Sequence, residues 1–385
     1  MRVTIRKLEP SEYGLMQKMA RKKWDQAHGR WEYYDLFDLD YIELMMKSGE
    51  KDDHAMMGAF IENELVGTAG ILAFHAVVRG TPMKLAYGSW LTSDFARINA
   101  LTKTEKDRMF HWEKRRNGIY VTTYSDKSLG SLIVSAAFEY CRDHAIQGLI
   151  AYFEKESHSY RIVRENSEKS RHVRAFRPLK ETYSYVKIVN MDRLLGRSDI
   201  SFALKLGARL IRLSRIPASG KIFPENVIPY SDVHLKDCVM LLNGYRDTAD
   251  VARVWAEREL TEQLSPGQMS ATHVFVKKGA VKGLINYVVM NSVGDQGRFP
   301  YAMLDHLHFS HLSFEEKKYF IAHVLEQIRR KGITGAIFRH MNYFDESIFK
   351  AMTFRKNRRK LSQMVILFDD FPDMAQVKGT YLSFL

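Results

Sequence analysis

The order of elements legible between residues 1 and 192 returns between residues 230 and 385, and repetition on that scale implies one architecture built twice. In the first stretch, Val3 to Lys7 alternates as a strand. Glu9-Pro10-Ser11 then opens a helix carrying Tyr13, Leu15, Met16, Met19 and Ala20, and Leu36 to Met46 reads as a second helix. His54 to Ile61 is a strand, Glu62-Asn63-Glu64 a turn, Leu65 to Val78 a long strand, and Gly80-Thr81-Pro82 the next reversal. In the second stretch, Val233 to Gly244 and Asp250 to Leu264 read as helices, and Thr272 to Lys277, Val281 to Met290 and Tyr301 to Phe309 as strands. Ser313 with Glu316 has the spacing of a capping box, opening a helix that ends at Lys331-Gly332. Ile333 to Arg339 (strand), Asp345 to Met352 (helix) and Leu361 to Phe368 (strand) complete it. Residues 193–229 lie between, with a basic amphipathic helix from Ser201 to Ile216 and a linker from Pro217 to Pro229.

The segment Leu85 to Gly118 organises the first stretch. Leu85, Tyr87, Ser89 and Leu91 fall on one face of a strand, and Ala86, Gly88, Trp90 and Thr92 on the other. A turn from Ser93 to Asn99 leads into a helix expected to stop at Asn117-Gly118. Unpaired N–H groups and the positive end of the helix dipole make such a strand-to-helix step a site for a pyrophosphate. A second step of the same kind follows. Ile119 to Tyr124 reads as a strand, and Ser128 to His144 as a strongly apolar helix entered through Lys127-Ser128-Leu129-Gly130-Ser131. The first step is preferred as the anion site because it follows the long hairpin directly, and the second, which has the glycine the first lacks and a better-buried helix, stays open. Gly148 to Phe153 (strand), Glu156 to Arg164 (helix) and a closing hairpin from Val173 to Val189 follow.

Composition bounds the function. Hydrophobic residues at 45% suffice for two cores, so global disorder is excluded. No apolar run reaches membrane-spanning length, and the opening MRVTIRKLEPSEYG reads as strand and helix entry rather than a secretory signal. Cys141 and Cys238 lie in apolar segments without metal or disulfide spacing, which suits reduced thiols in a cytoplasmic protein. The 58 Lys+Arg against 45 Asp+Glu give a formal charge of +13. That field attracts CoA, nucleotides, tRNA and anionic surfaces without choosing among them. Walker, dinucleotide-fingerprint and serine- or cysteine-nucleophile signatures are absent. The densest titratable cluster is Asp305-His306-Leu307-His308-Phe309-Ser310-His311. His306 and His308 share a strand face and Asp305 takes the other, making these three candidates for proton transfer, or simply polar residues lining a cleft. The spacing of His306 and His308 could give two zinc ligands, but no local Glu or Cys completes a set, so no metal is expected. Tyr124, Glu154 and Tyr160 are further candidate bases. The run Arg355 to Lys360 reads as a solvated turn or a contact for phosphate or an acidic substrate.

Long hairpin, strand, short basic loop and helix, as they stand from Leu65 to Gly118, resemble the acyl-CoA-binding core of the GNAT superfamily of N-acetyltransferases. That family's loop carries glycines, whereas this chain has Arg97-Ile98-Asn99-Ala100-Leu101. The tail IFRHMNYFDESIFKAMTFRKNRRKLSQMVILFDD resembles the C-terminal half of N-myristoyltransferases, with Met341-Asn342, Phe349, Met352, Phe354 and Phe368 in matching places. The resemblance implies an α/β (α+β) fold of two tandem GNAT-like domains, each a mixed, mostly antiparallel sheet flanked by helices. It implies acyl transfer from acetyl-CoA or a longer acyl-CoA to an amine acceptor, a small molecule or a peptide, by direct attack in a ternary complex. The thioester oxygen would be met by main-chain donors at Trp90 or Leu91, and the cofactor held by Leu91, Thr92, Arg97, Ile98, Asn99, Ala100 and Leu101. The second stretch would wall the acceptor groove. Myristoyltransferases use their C-terminal carboxylate as base. The apolar tail Tyr381 to Leu385 is expected instead to be an ordinary docked or frayed terminus. Two other functions remain open: an aminoacyl-tRNA-dependent transferase of the tandem-GNAT peptidoglycan type, and a non-catalytic binding protein.

Overall fold

The computed structural model describes residues 3–27, 34–36, 39–47, 53–93, 112–114, 120–122, 129–154, 157–191, 214–265, 267, 269–294, 297–309, 311–369, 372 and 377–382. The N-terminal half gives, in order, β1 (Val3–Lys7), α1 (Tyr13–Ala27), β2 (Tyr34–Leu36), α2 (Leu39–Lys47), β3 (Ala55–Ile61), β4 (Glu64–Val78) and β5 (Thr81–Ser93). It continues with β6 (Trp112–Lys114), β7 (Tyr120–Thr122), α3 (Leu129–Asp143), β8 (Gly148–Phe153), α4 (His158–Lys169) and β9 (Ala175–Ile188). The C-terminal half gives β10 (Val227–Pro229), α5 (Leu235–Asn243), β11 (Val251–Arg253), α6 (Glu257–Leu264), β12 (Ser270–Lys277), β13 (Ala280–Gly294) and β14 (Gly297–His308). Then come α7 (Phe314–Arg330), β15 (Gly335–Arg339), α8 (Ser347–Ala351), β16 (Arg355–Leu367) and β17 (Thr380–Tyr381).

Corresponding hairpins of the two halves turn in the same way. Glu62-Asn63 joins β3 to β4 and Lys278-Gly279 joins β12 to β13, each pair with both φ angles positive (48° and 67°, 53° and 75°). Such two-residue turns match the right-handed twist of the strands they connect. The helix cap read from sequence is present. Ser313 Oγ accepts from the Glu316 N–H at 3.4 Å, and Glu316 Oε2 accepts from the Ser313 N–H at 2.8 Å.

The strands form one mixed sheet, in which β5 and β8 run parallel, as do β14 and β15. The joint between the halves is an exchange of strands. β16 pairs with β8, Ser362 opposite Phe153, whereas β9 pairs with β15, Ser184 opposite Arg339, and β9 and β16 pair with each other at the centre. Each half therefore receives its closing strand from the other. The closing hairpin expected over Val173 to Val189 is instead the single strand β9. Its Pro178-Leu179-Lys180 reads as a turn but sits at an irregularity in the β9–β16 register, a place where a strand tolerates proline. Two further expectations are corrected. Trp112–Lys114 is strand, paired with β7, where a helix was expected to continue. Val251–Arg253 is strand as well, bridging β4 and β17, so the helix expected from Asp250 begins only at Glu257.

α3 packs its buried Leu132, Ile133 and Ala136 on one face of the N-terminal sheet, and α7 packs Phe320, Val324 and Leu325 on the C-terminal sheet. The opposite faces meet in a shared core, where Leu72, Tyr87 and Trp90 pack with Val288, Met290 and Tyr301. Burial of these apolar faces, at roughly 25 cal/mol per Å2, is what holds the halves together.

Candidate active site

The paired register of β5 and β8 ends at Gly88 opposite Ala151, and the strands separate beyond it. A cavity of about 380 Å3 opens in the gap. Trp90 and Leu91 line it from β5, Tyr152 and Phe153 from β8, and Val134 and Phe138 from α3. Met290, Met303 and Arg339 reach it from the C-terminal half, so the cavity runs through the sheet from the α3 face to the shared core. Its lining is mainly apolar with a few polar groups at one end, the usual composition of a small-molecule site.

The local backbone at that cavity is unusual. Thr68 pairs with Thr92 and Gly70 with Ser89, so Ala69 alone faces both Trp90 and Leu91. Trp90 takes the extra place with φ of 50°, a left-handed angle that costs a bulky residue on the order of 1–3 kcal/mol. Two features hold it there. The Trp90 carbonyl accepts from Thr68 Oγ1 at 3.0 Å, and the indole lies over Gly70, where a Cβ would come within 2.5 Å of Trp90 Cε3. A bulge leaves backbone groups outside the strand ladder and re-aims them. Here it does so on the cavity wall.

β14 carries the same device. Leu284 pairs with His308 and Asn286 with Asp305, so Ile285 faces both His306 and Leu307, and His306 has φ of 46°. The alternation expected from sequence is corrected accordingly. The extra residue brings Asp305 onto the same face as His308. Phenylalanine rings pack in the core beside this second bulge. Phe338 and Phe349 stack with centroids 4.5 Å apart, Phe344 lies 5.5 Å from Phe338 and 5.7 Å from Phe309, and Phe354 lies 4.9 Å from Phe349.

Asp305, His306 and His308 do not line the cavity. His306 is wholly buried beside Trp255 (centroids 4.8 Å), and its Nδ1 lies 3.4 Å from Tyr381 Oη, which accepts from Trp255 Nε1 at 3.1 Å. Burial pushes both His306 and His308 down to about 4, so both are neutral near pH 7. The charge of Asp305 reaches the cavity through its neighbours. Burial raises the Tyr87 phenol well above its ordinary value, with Tyr152 and Asp305 adding to the rise, and burial with Asp305 also raises Tyr152. Both phenols line the cavity. Tyr152 Oη is fixed from behind, accepting from Gln363 Nε2 at 2.9 Å, and Thr380 Oγ1 donates to Gln363 Oε1 at 3.3 Å. The Arg339 guanidinium lies 5.1 Å from the Tyr152 ring.

Sequence reasoning thus brought Trp90 and Leu91 to the cavity and missed Tyr87, Tyr152, Gln363 and Arg339. The available signal was a polar residue inside each of the apolar runs GLIAYF and LSQMVILF. Thr92 is buried at the bulge's end opposite Thr68, whereas Arg97, Ile98, Asn99, Ala100, Leu101 and Tyr124 lie outside the described residues. Glu154 and Tyr160 are partly buried beside β8, with Tyr160 against Phe153 (centroids 6.0 Å). The tail does not fray before its last described residues. Tyr381, in β17, and Leu382 are each 1% exposed, and Ser383 to Leu385 lie outside the described residues. Among the described residues, no group of three or more His, Cys, Asp or Glu is placed to hold a metal ion, and no helix is long and apolar enough to cross a membrane.

No protein-family model matches the sequence, and no curated protein matches it. Among solved structures, Saccharomyces cerevisiae N-myristoyltransferase with bound myristoyl-CoA is similar, with a TM-score of 0.69 and 9% identity over 100% of this chain and 89% of that one. The same enzyme with bound myristoyl-CoA and inhibitors gives 0.68 and 9%, over 99% of this chain and 86% of that one. A GCN5-related N-acetyltransferase from Anabaena variabilis is a weaker likeness (0.47, 10%, over 95% and 73%). At such identities the likeness is one of fold: the chain has the mixed α/β fold seen in N-myristoyltransferase.

Proposed function

We propose that the protein is an acyl-CoA-dependent N-acyltransferase that moves an acyl group from the CoA thioester to an amine by direct attack. The observation that carries this reading is the bulge at Trp90, set where two parallel strands separate around an apolar cavity. The similarity to a fold that holds myristoyl-CoA in another protein supports it. The acyl chain would occupy the cavity, with main-chain donors at Trp90 and Leu91 meeting the thioester oxygen as negative charge develops there.

Of the two strand-to-helix steps, we favour Lys127 to Ser131 for the CoA pyrophosphate. α3 is the described helix that crosses from β5 to its parallel partner β8, and its start lies near the end of β5: a Cβ added at Gly67 would come within 3.2 Å of the Thr92 carbonyl and 3.5 Å of Leu129 Cδ2. His306 and His308 lie away from the cavity and, held by burial at about 4, are weak bases for the amine proton. We assign Tyr87 and Tyr152, whose phenols line the cavity, as proton donors in the transfer, with the charge of Asp305 acting on them from outside it. The phenylalanine filling of the second bulge supports one acyl-CoA site per chain, in the N-terminal half. We retain 1–192 and 230–385 as the two domains in sequence, with β9 and β16 exchanged between them.

The test is thermal stability with acetyl-CoA, a long-chain acyl-CoA and free CoA, followed by thiol release with amine acceptors. A ligand at 100 times its Kd adds about 2.7 kcal/mol to the folded state. A shift with acyl-CoA and amine-dependent thiol release support the reading, and no shift with any of the three sinks it.

A further inference from the structure

The C-terminal half carries a second cavity, of about 500 Å3, between the end of α8, the start of β16 and the C-terminal part of β9. It opens where the two strands lose register, since Lys356 pairs with Tyr185 but Lys360 already pairs with Tyr183. Its wall includes Lys350, Thr353, Arg355, Lys356, Tyr183 and Tyr185, and every charged side chain on that wall is cationic.

Three further observations concentrate positive charge there. The Lys187 ammonium lies beside the wall, 1% exposed, donating to Thr353 Oγ1 at 2.6 Å and to the Arg215 carbonyl at 2.8 Å. Burial, with Arg355 close by, pushes that lysine down to about 8. His340, stacked on Tyr183 at 4.3 Å, is held at about 4 by burial and then by Lys180, Lys356 and Lys350. Lys356 Nζ lies 3.5 Å over the other partner of that stack, the Tyr183 ring. The neighbouring carboxylates face other groups. Glu346 meets His340, Glu181 meets Lys360 at 2.8 Å, and Asp345, whose field also reaches Lys350, accepts from the Ser347 N–H and Oγ.

Thr353 adds a conformational argument. It follows α8 with φ of 60°, where glycine is the usual choice and a β-branched residue is strained. What threonine supplies and glycine lacks is the hydroxyl held by Lys187 at the cavity wall.

We propose that this cavity binds a phosphate group carrying close to two negative charges, as in a phosphate monoester. A carboxylate would neutralise one of three lining cations, whereas a phosphate monoester carries about −1.5 to −2 at pH 7 and offers three acceptor oxygens to Arg355 and the lysines. The site is separate from the acyl cavity. Tyr185 packs with Phe338 on the α7 side of the sheet, and the next residue, Arg339, lines the acyl cavity.

The phosphate can come from a soluble compound or a lipid headgroup, and two probes separate these. Inorganic phosphate is titrated calorimetrically, and phosphatidylcholine vesicles with and without phosphatidic acid are used in co-sedimentation. Each is applied to the full chain, to Arg355→Gln, to Lys356→Gln, and to Lys360→Gln as an equal loss of charge outside the wall. Thr353→Gly, whose backbone suits φ of 60°, removes the hydroxyl without straining the main chain. Binding of either probe that falls about tenfold in Arg355→Gln and Lys356→Gln, and weakens in Thr353→Gly but not in Lys360→Gln, supports the site, and the responding probe identifies the source. An equal fall in Lys360→Gln means diffuse attraction and overturns the proposal, as does binding of neither probe.

Discussion

Replacing Gly70 by alanine tests whether the indole of Trp90 is wedged where the structure places it. The new Cβ would lie 2.5 Å from Trp90 Cε3, 3.1 Å from Cζ3 and 3.4 Å from the Ser89 carbonyl. The first contact is far inside van der Waals distance, and the indole is the rigid end of a residue whose backbone already sits at φ of 50°. Overpacking of this kind costs about 1–3 kcal/mol. An unfolding entropy of about 2.1 cal/mol/K per residue gives roughly 0.8 kcal/mol/K for a chain of 385 residues, so Tm should fall by about 1–4 °C. The relief open to the side chain is movement into the cavity that Trp90 lines. The variant should therefore also lose most of the stabilisation that an acyl-CoA gives to the native chain. Differential scanning calorimetry with and without a long-chain acyl-CoA measures both effects. Unchanged Tm together with an unchanged ligand shift would show that the indole is not held between Gly70 and the cavity, and the proposed role of the bulge would fall with it.

Gly14 is the opposite case. It is exposed in α1, and no atom lies within 4 Å of the place an added methyl would take, so Gly14→Ala should stabilise by about 0.5–1 kcal/mol, read as an increased denaturant midpoint. Phe349→Ala, at a wholly buried ring, should cost about 3–5 kcal/mol in chemical denaturation, while any acyl-CoA shift survives because the ring fills the second bulge rather than the first. Acid should destabilise through His54, His306 and His308, each pushed by burial to about 4. Unfolded, these rings titrate near 6.5, so the unfolded chain binds more protons between those values. Stability is then level above about pH 6.5 and falls as pH drops toward 4, by up to roughly 3 kcal/mol per ring. A Tm flat from pH 7 to 4.5 would contradict this.

Local pattern carried much of the fold. The paired turns at Glu62-Asn63 and Lys278-Gly279, the capping box at Ser313 and the apolar run of α3 are short-range chemistry, and the structure has them where the residues indicate. Non-local choices were not legible. Nothing in the composition of β9 or β16 says which half each will join, because pairing is decided by faces presented from distant parts of the chain. Arg355 to Lys360 reads as a solvated turn since it is charged, yet it is strand, with Lys356 laid over Tyr183. Val251–Arg253 reads as helix because its context is helical. What makes it strand is tertiary: Arg253 is buried with its guanidinium 3.6 Å over the Trp255 ring, and the backbone completes the edge of β4. At the site itself, a tryptophan and a histidine occupy left-handed positions that sequence rules reserve for glycine, so neither bulge announced itself.

The two bulges make the strongest argument about how the halves divide their work. Trp90 and His306 occupy the same place in the same irregularity, one residue before a leucine that shares its partner, Leu91 opposite Ala69 and Leu307 opposite Ile285. That correspondence favours the reading of one architecture built twice, since backbone strain at matched positions has no reason to arise independently. The surroundings then separate them. At Trp90 the strands part around open apolar volume, and at His306 the equivalent space is packed with Phe309, Phe338, Phe344 and Phe349, while the imidazole is clasped by Trp255 and Tyr381. The strained bulge at Trp90 stands on the wall of a space that a ligand can enter. The same bulge over a packed core sets His306 against Tyr381 of the tail strand β17, whose Thr380 fixes Gln363 and with it the phenol of Tyr152. The C-terminal half thereby acts on the acyl cavity of the other half, and the exchanged strand β16 is the physical link that delivers Gln363 to it.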